Sequence, residues 1–369
     1  MSAVPPYRRT VLIAGGGTGG HLMPALAIAT ALLELAPDVE PVLIGASRGV
    51  EARILPSRDF RFHLLPTEPI YRRTWWKNLR WPFVAGRLLR EIGRVFDAER
   101  PAAVLGTGGY ASGPVVWWAA RHGIPTAIQE QNAYPGLVSR WLSRRVRHVY
   151  LGLPEAQRLL RFGPHTQVFD TGNPITAPLA GRRGAATAKF GLDGSRPVVL
   201  VTGGSQGARA INQAVAGWLE GGGPGNAVLI WVTGRGTYDE FARYHRPPQV
   251  QVLDFLDPMG DGYAVADLVV SRAGMITVAE LCAWGLPNVL VPLPTAAADH
   301  QTYNARVLAA SGASLMLPQA EVTPDRLRDV ITDLLSDPAR RKQMGERALA
   351  RGRPYAAQEI VSKLLTLIS

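Results

Sequence analysis

The sequence predicts an α/β protein made of two doubly wound, Rossmann-like domains, each organised on a parallel sheet. Short apolar runs alternate with helical stretches along the chain, which is the pattern of strand–helix–strand units. The alternation starts again near residue 198, and each half opens with a strand, a glycine-rich turn and a helix. At 369 residues the chain is also too long for one ordinary core. These three observations together indicate two domains.

The first half opens with a strand at 10–13, a glycine-rich turn at 14–20 and a helix at 21–36. A helix after such a turn aims free backbone N–H groups at an anion, and glycines let the backbone approach a phosphate closely. A second turn of this kind, at 106–114, lies between a strand and a helix. The remaining predicted elements are strands at 42–45, 102–105, 126–128 and 146–150 and helices at 87–99, at 136–145 and up to Arg121.

The second half follows a stretch at 172–196 whose composition is typical of a linker. Strands are predicted at 198–201, 227–232, 250–253, 268–270 and 289–292, with glycine-containing turns at 202–209 and 271–277 and a largely helical end. We therefore expect an N-terminal domain at 1–174, a second domain at 175–350 and a C-terminal helix at 351–369 that packs back on the first. In such folds a ligand lies beyond the carboxyl ends of the strands, so two facing domains would form a cleft.

Composition and charge limit the possible function classes. Cys282 is the sole cysteine, which excludes an internal disulfide and is typical of a reducing compartment. No apolar run reaches the ~18 residues of a membrane span, and we expect a protein without a signal peptide that stays in the cytoplasm. The net charge is +11, and residues 1–173 carry 21 Lys and Arg against 12 Asp and Glu. This one-sided charge indicates an anionic partner, either a nucleic acid or a membrane surface.

The glycine turns do not match two common nucleotide sites. A dinucleotide site needs an acidic residue at the end of the second strand, but that strand runs into Arg48, and Glu51 comes late. No Gly-Lys-Ser/Thr follows either, as a P-loop requires. Paired glycine turns without a lysine or a metal-ligand cluster suit a diphosphate leaving group held by helix dipoles. The sequence therefore implies no metal and no required cofactor.

Four side chains are candidates for the chemistry. His21 lies beside the first turn and could take a proton from an attacking hydroxyl, or donate to the same phosphate. Glu130, in a loop after a strand, is the second candidate base, and the alternative is that it orients the acceptor or pairs with an arginine. Glu280 could accept two hydrogen bonds from a ribose diol, although most helical glutamates are only solvated. Ser205 could meet phosphate or act as an N-cap.

The segment from Ile70 to Arg94 interleaves aromatic residues with arginines, and Glu91 is its only acid. This composition fits an anionic lipid surface, where rings lie at headgroup depth, and it also fits single-stranded nucleic acid. A third interpretation is an ordinary helix with core aromatics and a solvated arginine face. The residues that we assign to a membrane patch are Trp75, Trp76, Lys77, Arg80, Trp81, Phe83 and Arg87.

Seven motifs carry a resemblance over nearly the whole chain. They are GGGTGGH at 15–21, GTGGYASGP at 106–114, QEQN at 129–132, TGNP at 171–174, GGSQGAR at 203–209, SRAGMITVAE at 271–280 and DHQTYNA at 299–305. With them the chain resembles the MurG family, lipid-linked N-acetylglucosaminyltransferases of peptidoglycan synthesis with the GT-B fold. The resemblance implies inverting transfer from UDP-N-acetylglucosamine to the 4-hydroxyl of undecaprenyl-pyrophosphoryl-N-acetylmuramyl-pentapeptide. It further implies a peripheral position on the cytoplasmic face of the membrane, no nucleic acid, and other cell-wall synthesis proteins as candidate partners.

The resemblance also assigns residues. Glu280 should hold the ribose, Leu256 the uracil through its backbone, and Ser205 a phosphate. The full implied donor set is Thr18, Gly19, Gly20, Asn132, Ser205, Leu256, Met275, Ile276, Thr277, Val278, Ala279, Glu280 and Gln301. The implied acceptor pyrophosphate set is Gly16, Gly17, Gly108, Gly109, Tyr110 and Ser112.

One position departs from the family pattern, and two rival functions remain. The family continues G-N-P with an apolar residue and an arginine for the donor diphosphate, but here Ile175 is followed by Thr176. Arg209 is the candidate replacement. A UDP-N-acetylglucosamine 2-epimerase would share the fold but need no membrane patch. A basic nucleic-acid-binding protein would bind without competition from UDP.

Overall fold

The computed structural model describes residues 9–68, 76, 81–204 and 206–368, except for the side chains of Trp81 and Pro82. Within this range the chain forms two compact α/β units. The first unit comprises the chain up to Ile175 together with the C-terminal segment from Tyr355, and the second is Thr176–Pro354. Each is built on a parallel sheet, which confirms the predicted fold class.

The sheet of the first unit has seven parallel strands among the described residues, in the order β3-β2-β1-β4-β5-β6-β7. The order reverses at β1 and β4, the two strands that run into the glycine turns, as doubly wound sheets do at a ligand-binding edge. The strands are β1 (Arg9–Gly15), β2 (Val39–Ala46), β3 (Arg61–Leu65), β4 (Ala103–Gly108), β5 (Thr126–Glu130), β6 (His148–Leu151) and β7 (Gln167–Asp170).

The helices of the first unit cover both faces of this sheet. They are α1 (Gly19–Leu35), α2 (Glu51–Ile54), α3 (Trp81–Glu99), α4 (Gly109–Arg121), α5 (Leu137–Leu142) and α14 (Ala356–Leu365). Strand β1 shows why they pack there: Val11 and Ile13 are buried in one core cluster, whereas Leu12 and Ala14 are buried in the cluster on the opposite face. A strand with apolar side chains on both faces must be covered by helices on both faces of its sheet.

The second unit repeats the plan with six parallel strands in its described residues, in the order β10-β9-β8-β11-β12-β13. Its strands are β8 (Val198–Thr202), β9 (Val228–Val232), β10 (Val250–Leu253), β11 (Leu268–Ser271), β12 (Asn288–Leu290) and β13 (Leu315–Met316). Its helices are α6 (Arg182–Lys189), α7 (Arg209–Glu220), α8 (Tyr238–Phe241), α9 (Gly260–Val265), α10 (Met275–Trp284), α11 (His300–Ala310), α12 (Pro324–Ser336) and α13 (Pro338–Ala350). Strands β8 and β11, which adjoin where the order reverses, lead towards α7 and α10.

The structure corrects the sequence prediction at three kinds of position. Strands β3, β7 and β13 were not predicted, because each is a short edge or near-edge strand with weak apolar patterning. The predicted linker contains α6, which is tied to α9 by ion pairs from Arg182 and Lys189 to Asp261. Helix α1 begins at Gly19, two residues before the predicted start, so Gly19 and Gly20 form its first turn.

The C-terminal helix packs against the first unit. Its buried face, with Ile360, Val361 and Leu364, joins the core cluster that contains α1. Lys363 places its ammonium group 5.3 Å from the ring centre of Phe169 on β7, which adds a cation–π contact. Among the described residues, every helix is too short or too polar to cross a membrane.

Candidate functional site

The two glycine turns of the first unit lie against each other at the carboxyl edge of its sheet. Gly17 has a φ of 91° and Gly109 a φ of 79°, values that favour glycine. A Cβ on Gly109 would overlap the carbonyl oxygen of Gly16. Neither α1 nor α4 has a side-chain cap on its first turn among the described residues. The turns therefore bring two helix N-termini to one place, as the sequence predicted for an anion site.

His21 lies between these turns and has a defined tautomer. Its Nδ1 is 3.2 Å from the carbonyl oxygen of Thr107 and 3.2 Å from Oε1 of Gln131. Both atoms are acceptors, so Nδ1 carries the proton, and a neutral imidazole then has its lone pair on Nε2. The hydroxyl of Thr107 in turn donates to the carbonyl oxygen of His21 at 2.9 Å. The ring is therefore oriented by the neighbouring strand β4.

A chain of buried amides sets the orientation of Gln131. Its Nε2 donates to the carbonyl oxygen of Thr107 at 2.6 Å and also to Oε1 of Gln129. Nε2 of Gln129 donates to Oδ1 of Asn173 at 2.9 Å, and Nδ2 of Asn173 donates to the carbonyl oxygen of Gln131 at 3.1 Å. Because every amide nitrogen finds an oxygen, Oε1 of Gln131 must face His21. None of these three amide side chains is among the site residues predicted from the sequence.

Glu130, the second candidate base, is buried and accepts hydrogen bonds from its own loop. Its Oε1 accepts from the backbone N–H of Asn132 at 2.9 Å and from Nδ2 of Asn132 at 3.2 Å. Its Oε2 accepts from the backbone N–H of Gly136 at 2.9 Å. This arrangement favours a positioning role for Glu130, which holds the predicted donor ligand Asn132, over a role as base.

Three residues of the predicted acceptor pyrophosphate set have structural contacts of their own. The N–H of Gly17 already donates to the carboxylate of Glu51. Ser112 is buried, and its hydroxyl donates to the carbonyl oxygen of Gly109 within α4 at 3.1 Å. The ring of Tyr110 lies where a Cβ on Gly17 would be. These contacts run against direct phosphate binding by the N–H of Gly17 and by the hydroxyl of Ser112.

Glu280 lies in the second unit on α10, which begins directly after Gly274 without a side-chain cap. Its Oε2 accepts from the hydroxyl of buried Tyr263 at 2.9 Å. Burial raises the pKa of Glu280 from 4.5 to about 7, and the hydrogen bond from Tyr263 partly opposes that rise. Burial and the neighbouring Glu280 also raise the pKa of Tyr263 well above its usual range, so this hydroxyl is a donor. Sequence reasoning did not find Tyr263, because only the packing of α9 on α10 brings the two side chains together.

The other predicted donor residues are distributed around the same edge of the second sheet. Met275 and Val278 are buried on α10, while Ile276, Thr277 and Ala279 are half-buried. Leu256 is buried just beyond the end of β10. Oε1 of Gln301 accepts from the backbone N–H of Leu293 at 3.0 Å. The predicted phosphate ligand Ser205 lies outside the described residues.

Arg209, the candidate replacement for the missing arginine, begins α7 and forms an ion pair with Glu240. That pair is at the surface, where an arginine is held only weakly. Nearby, the Arg235 guanidinium lies 4.7 Å from the ring centre of Phe255, an exposed aromatic next to Leu256. Neither Arg235 nor Phe255 is among the site residues predicted from the sequence.

The described part of the basic aromatic segment has an exposed and a buried face. Phe83 is 84% exposed and Trp76 53% exposed, and Arg87 is also exposed. Leu88 and Ile92 point from the opposite face of α3 into the core. Trp75, Lys77 and Arg80, and the side chain of Trp81, lie outside what the structure describes. The interpretation of the segment as entirely core aromatics is wrong for Phe83 and Trp76.

Metal-ligating side chains do not gather at either edge. Within the described ranges, no group of three or more His, Cys, Asp and Glu residues lies close enough to hold a metal ion. The expectation that the reaction needs no metal and no cofactor stays a prediction.

Comparison with known families gives a clear assignment. The model of the glycosyltransferase family 28 N-terminal domain matches residues 11–151, and that of the family 28 C-terminal domain matches residues 198–360. The chain belongs to glycosyltransferase family 28. The N-terminal match lies in the first structural unit, and the C-terminal match lies in the second except for residues 355–360, which belong to the first. The sequence-based recognition of a MurG-type glycosyltransferase is thereby confirmed.

Individual relatives of this family 28 chain carry more specific names. A protein of Salinibacter ruber is 39% identical, covers 100% of this chain and is itself covered over 98% of its length. It is named UDP-N-acetylglucosamine–N-acetylmuramyl-(pentapeptide) pyrophosphoryl-undecaprenol N-acetylglucosamine transferase. A protein of Chlorobium limicola with the same name is 37% identical, covering 97% of this chain and 99% of the relative.

Solved structures support the fold. The crystal structure of MurG from Acinetobacter baumannii superposes with a TM-score of 0.78 at 27% identity, covering 97% of this chain and 99% of that one. A UDP-N-acetylglucosamine 2-epimerase from Neisseria meningitidis gives a TM-score of 0.64 at 13% identity, covering 97% and 100%. At that identity the epimerase shows only a shared fold, which the rival interpretation already expected.

Proposed function

We propose that this chain transfers N-acetylglucosamine, with inversion, from UDP-N-acetylglucosamine to the 4-hydroxyl of undecaprenyl-pyrophosphoryl-N-acetylmuramyl-pentapeptide. The observation that carries the proposal is full-length identity of 37–39% to relatives named for this transfer. The carboxyl edges of the two sheets suit this reaction. The first edge presents the oriented imidazole of His21, and the second presents the half-buried carboxylate of Glu280 on α10.

The donor is assigned to the second unit. Glu280 accepts hydrogen bonds from the two ribose hydroxyls, which are the kind of donor its remaining acceptor positions can use. The first turns of the helices at this edge face the diphosphate and stabilise the charge that develops as the UDP oxygen leaves. Leu256 meets the uracil through its backbone, and Gln301 meets the sugar hydroxyls.

The acceptor is assigned to the first unit, with His21 as general base. The lone pair on Nε2 takes the proton of the acceptor 4-hydroxyl while that oxygen attacks C1 of N-acetylglucosamine. The bond from C1 to the UDP oxygen breaks in the same displacement, the electron pair leaves with UDP, and the configuration at C1 inverts. Protonated His21 keeps Nδ1–H on Thr107 and Gln131, so the ring does not rotate between turnovers.

The test is incubation of the purified chain with UDP-N-acetylglucosamine and the lipid-linked muramyl acceptor, followed by mass analysis of the lipid. We expect a product heavier by one N-acetylglucosamine residue, and turnover that EDTA does not change. A reaction without acceptor controls for epimerisation. Appearance of UDP-N-acetylmannosamine there, with no modified lipid, would overturn the transferase assignment in favour of the epimerase.

We also propose that the exposed side of α3, together with Trp76 ahead of this helix, rests on the anionic cytoplasmic face of the membrane. Phe83 and Trp76 expose apolar rings, and Arg87, also exposed, lies one helical turn after Phe83 on α3. Exposed rings with basic residues bind anionic lipid, with each cation adding ~1 kcal/mol near the surface. Flotation with vesicles of phosphatidylcholine and phosphatidylglycerol tests this.

The flotation experiment compares two variants. Combined replacement of Trp75, Trp76, Trp81 and Phe83 by Ser should abolish flotation while leaving UDP affinity unchanged. Leu349→Ser removes a similarly exposed apolar side chain from the second unit and should float like the wild type. Equal flotation of all three proteins would exclude this surface as the membrane contact, and flotation displaced by single-stranded RNA would favour nucleic acid.

A further inference from the structure

Glu51 is a completely buried carboxylate at the first glycine turn, and the mechanism above does not use it. It begins the short helix α2 after the end of β2, and none of its side chain is exposed. Its Oε1 accepts from the backbone N–H of Ala46 at 2.7 Å and of Gly17 at 2.9 Å, and its Oε2 is 3.0 Å from the same Gly17 nitrogen. A buried charge costs free energy unless several donors satisfy it, and here backbone N–H groups do so.

The surrounding backbone is shaped to this carboxylate. A Cβ on Gly45, at the end of β2, would overlap the Glu51 side chain, and so would a Cβ on Gly49 in the turn that follows. Only glycine at these two positions lets the backbone approach the side chain so closely. A Cβ on Gly16 would overlap the carboxylate from the side of the first turn. Glu51 therefore fills the space between the carboxyl ends of β1 and β2 and connects the two strands.

In strand–turn–helix units of this type, the N–H groups of the turn are the usual ligands of a bound phosphate. Here the protein's own carboxylate already occupies one of them. A second anion at Gly17 would lose that hydrogen bond and would meet like charge at close range. Helix α4, which packs against the same glycine turn, begins without a side-chain cap in the part of the chain that the structure describes.

We infer that Glu51 is a positioning residue: its carboxylate holds the first glycine turn in place and excludes the acceptor pyrophosphate from Gly17. The pyrophosphate is thereby directed to the first turns of α1 and α4. The inference rests on the proposed acceptor role of the first unit. The sequence predicts Gly17 as a phosphate ligand, whereas in this inference its N–H is a structural partner of Glu51.

Calorimetric titration of the full chain with inorganic pyrophosphate tests the exclusion directly. Glu51→Ala removes the charge and releases the N–H of Gly17, so we expect pyrophosphate to bind at least fivefold more tightly than to the wild type. Glu34→Ala is the matched control, because it removes an exposed glutamate from α1 and should change the affinity by less than twofold. A gain in anion affinity is not what a merely destabilised turn would give.

Steady-state kinetics of Glu51→Gln test the positioning role. The amide keeps the size of the side chain but turns an N–H₂ group towards backbone donors, so the turn should lose its fixed shape. We expect the KM for the lipid acceptor to rise about tenfold, the free-energy equivalent of one modest hydrogen bond, while the KM for UDP-N-acetylglucosamine changes by less than twofold. An equal rise in both KM values would contradict a role confined to the acceptor side.

A measurement on the wild type covers the possibility that Glu51→Ala does not fold. In hydrogen exchange resolved to single residues by fragmentation in the mass spectrometer, the amide of Gly17 should be protected without ligand and should gain no protection with pyrophosphate. The amides of Gly19 and Gly109, at the starts of α1 and α4, should gain protection. New protection at Gly17 on pyrophosphate binding would overturn the inference.

The outcomes separate this inference from the proposed function. If the wild type makes no glycosylated lipid but Glu51→Ala gains pyrophosphate affinity, the reaction is wrong and the exclusion stands. If the wild type makes the product and neither Glu51 variant changes pyrophosphate affinity or acceptor KM, the inference about Glu51 is wrong.

Discussion

The carboxylates at the two sheet edges differ in how completely the protein satisfies them. In the first unit, Glu51 accepts from backbone N–H groups at the end of β2 and in the first glycine turn, and Glu130 accepts from groups of its own loop. In the second unit, the one described hydrogen-bond donor to Glu280 is the hydroxyl of Tyr263. A carboxylate surrounded by backbone donors is part of the scaffold, whereas a carboxylate on a helix with one described donor is suited to a ligand.

His21→Ala should have the largest effect, because the imidazole is the proton acceptor on the first unit. We expect kcat to fall by about 10²–10⁴-fold, the usual contribution of a general base, with donor affinity unchanged. His165→Ala, at an exposed histidine of the same unit, is the control for histidine loss. Wild-type turnover of His21→Ala would remove the histidine from the mechanism.

Glu280→Ala should weaken donor binding by roughly 10–100-fold, because hydrogen bonds to a charged group contribute about 1.5–3 kcal/mol. Calorimetry with UDP measures the change, and Glu346→Ala, an exposed glutamate of α13, is the control. Unchanged UDP affinity in Glu280→Ala would place the ribose elsewhere and would end the contrast between the two edges.

Glu130→Gln tests whether the Glu130 carboxylate is part of the scaffold of the first unit. An amide in place of this carboxylate leaves a backbone N–H of the loop unsatisfied, so the free energy of unfolding should fall by about 1–3 kcal/mol. The urea midpoint of the first unit reports that loss, and kcat should fall much less than in His21→Ala. Undiminished stability together with a collapse of kcat would instead identify Glu130 as the base.

The smallest expected effect concerns pH. Because the pKa of Glu280 is raised to about 7, donor affinity should fall as the pH drops below 7 and the carboxyl becomes protonated. Tyr263→Phe removes the hydrogen bond that lowers this pKa, so the midpoint should move to higher pH. Tyr244→Phe, which removes a hydroxyl bonded to Glu220, should leave the midpoint in place. A downward shift in Tyr263→Phe would reverse the sign of the argument.

The same raised pKa has a defined consequence for stability. The folded state holds the Glu280 proton more tightly than the unfolded chain does, so protonation favours folding. The contribution of Glu280 to the free energy of unfolding is therefore greatest below pH 4.5 and declines as the pH rises to about 7. Glu280→Gln should lack this decline in a pH series of urea unfolding.

Sequence reasoning reached the fold because its signals are local. Apolar runs bounded by glycine turns predicted most strands within one or two residues, as β8 and β11 illustrate. It missed β7 and β13, whose side chains are exposed or half-buried and therefore carry little apolar pattern. It also read the stretch around α6 as a linker, because the ion pairs of Arg182 and Lys189 with Asp261 join positions far apart in the chain.

The sequence by itself determined the parallel α/β class, the two glycine turns and the candidates His21 and Glu280, since each depends on residue types a few positions apart. Only the tertiary structure decided what those groups can do. It brought Glu51 into hydrogen-bond contact with Gly17, Gln131 with His21 and Tyr263 with Glu280. Each of these hydrogen bonds joins two segments that are distant in the chain and adjacent in the folded unit. A sequence does not show where backbone N–H groups point, nor which side chain accepts a hydrogen bond from them.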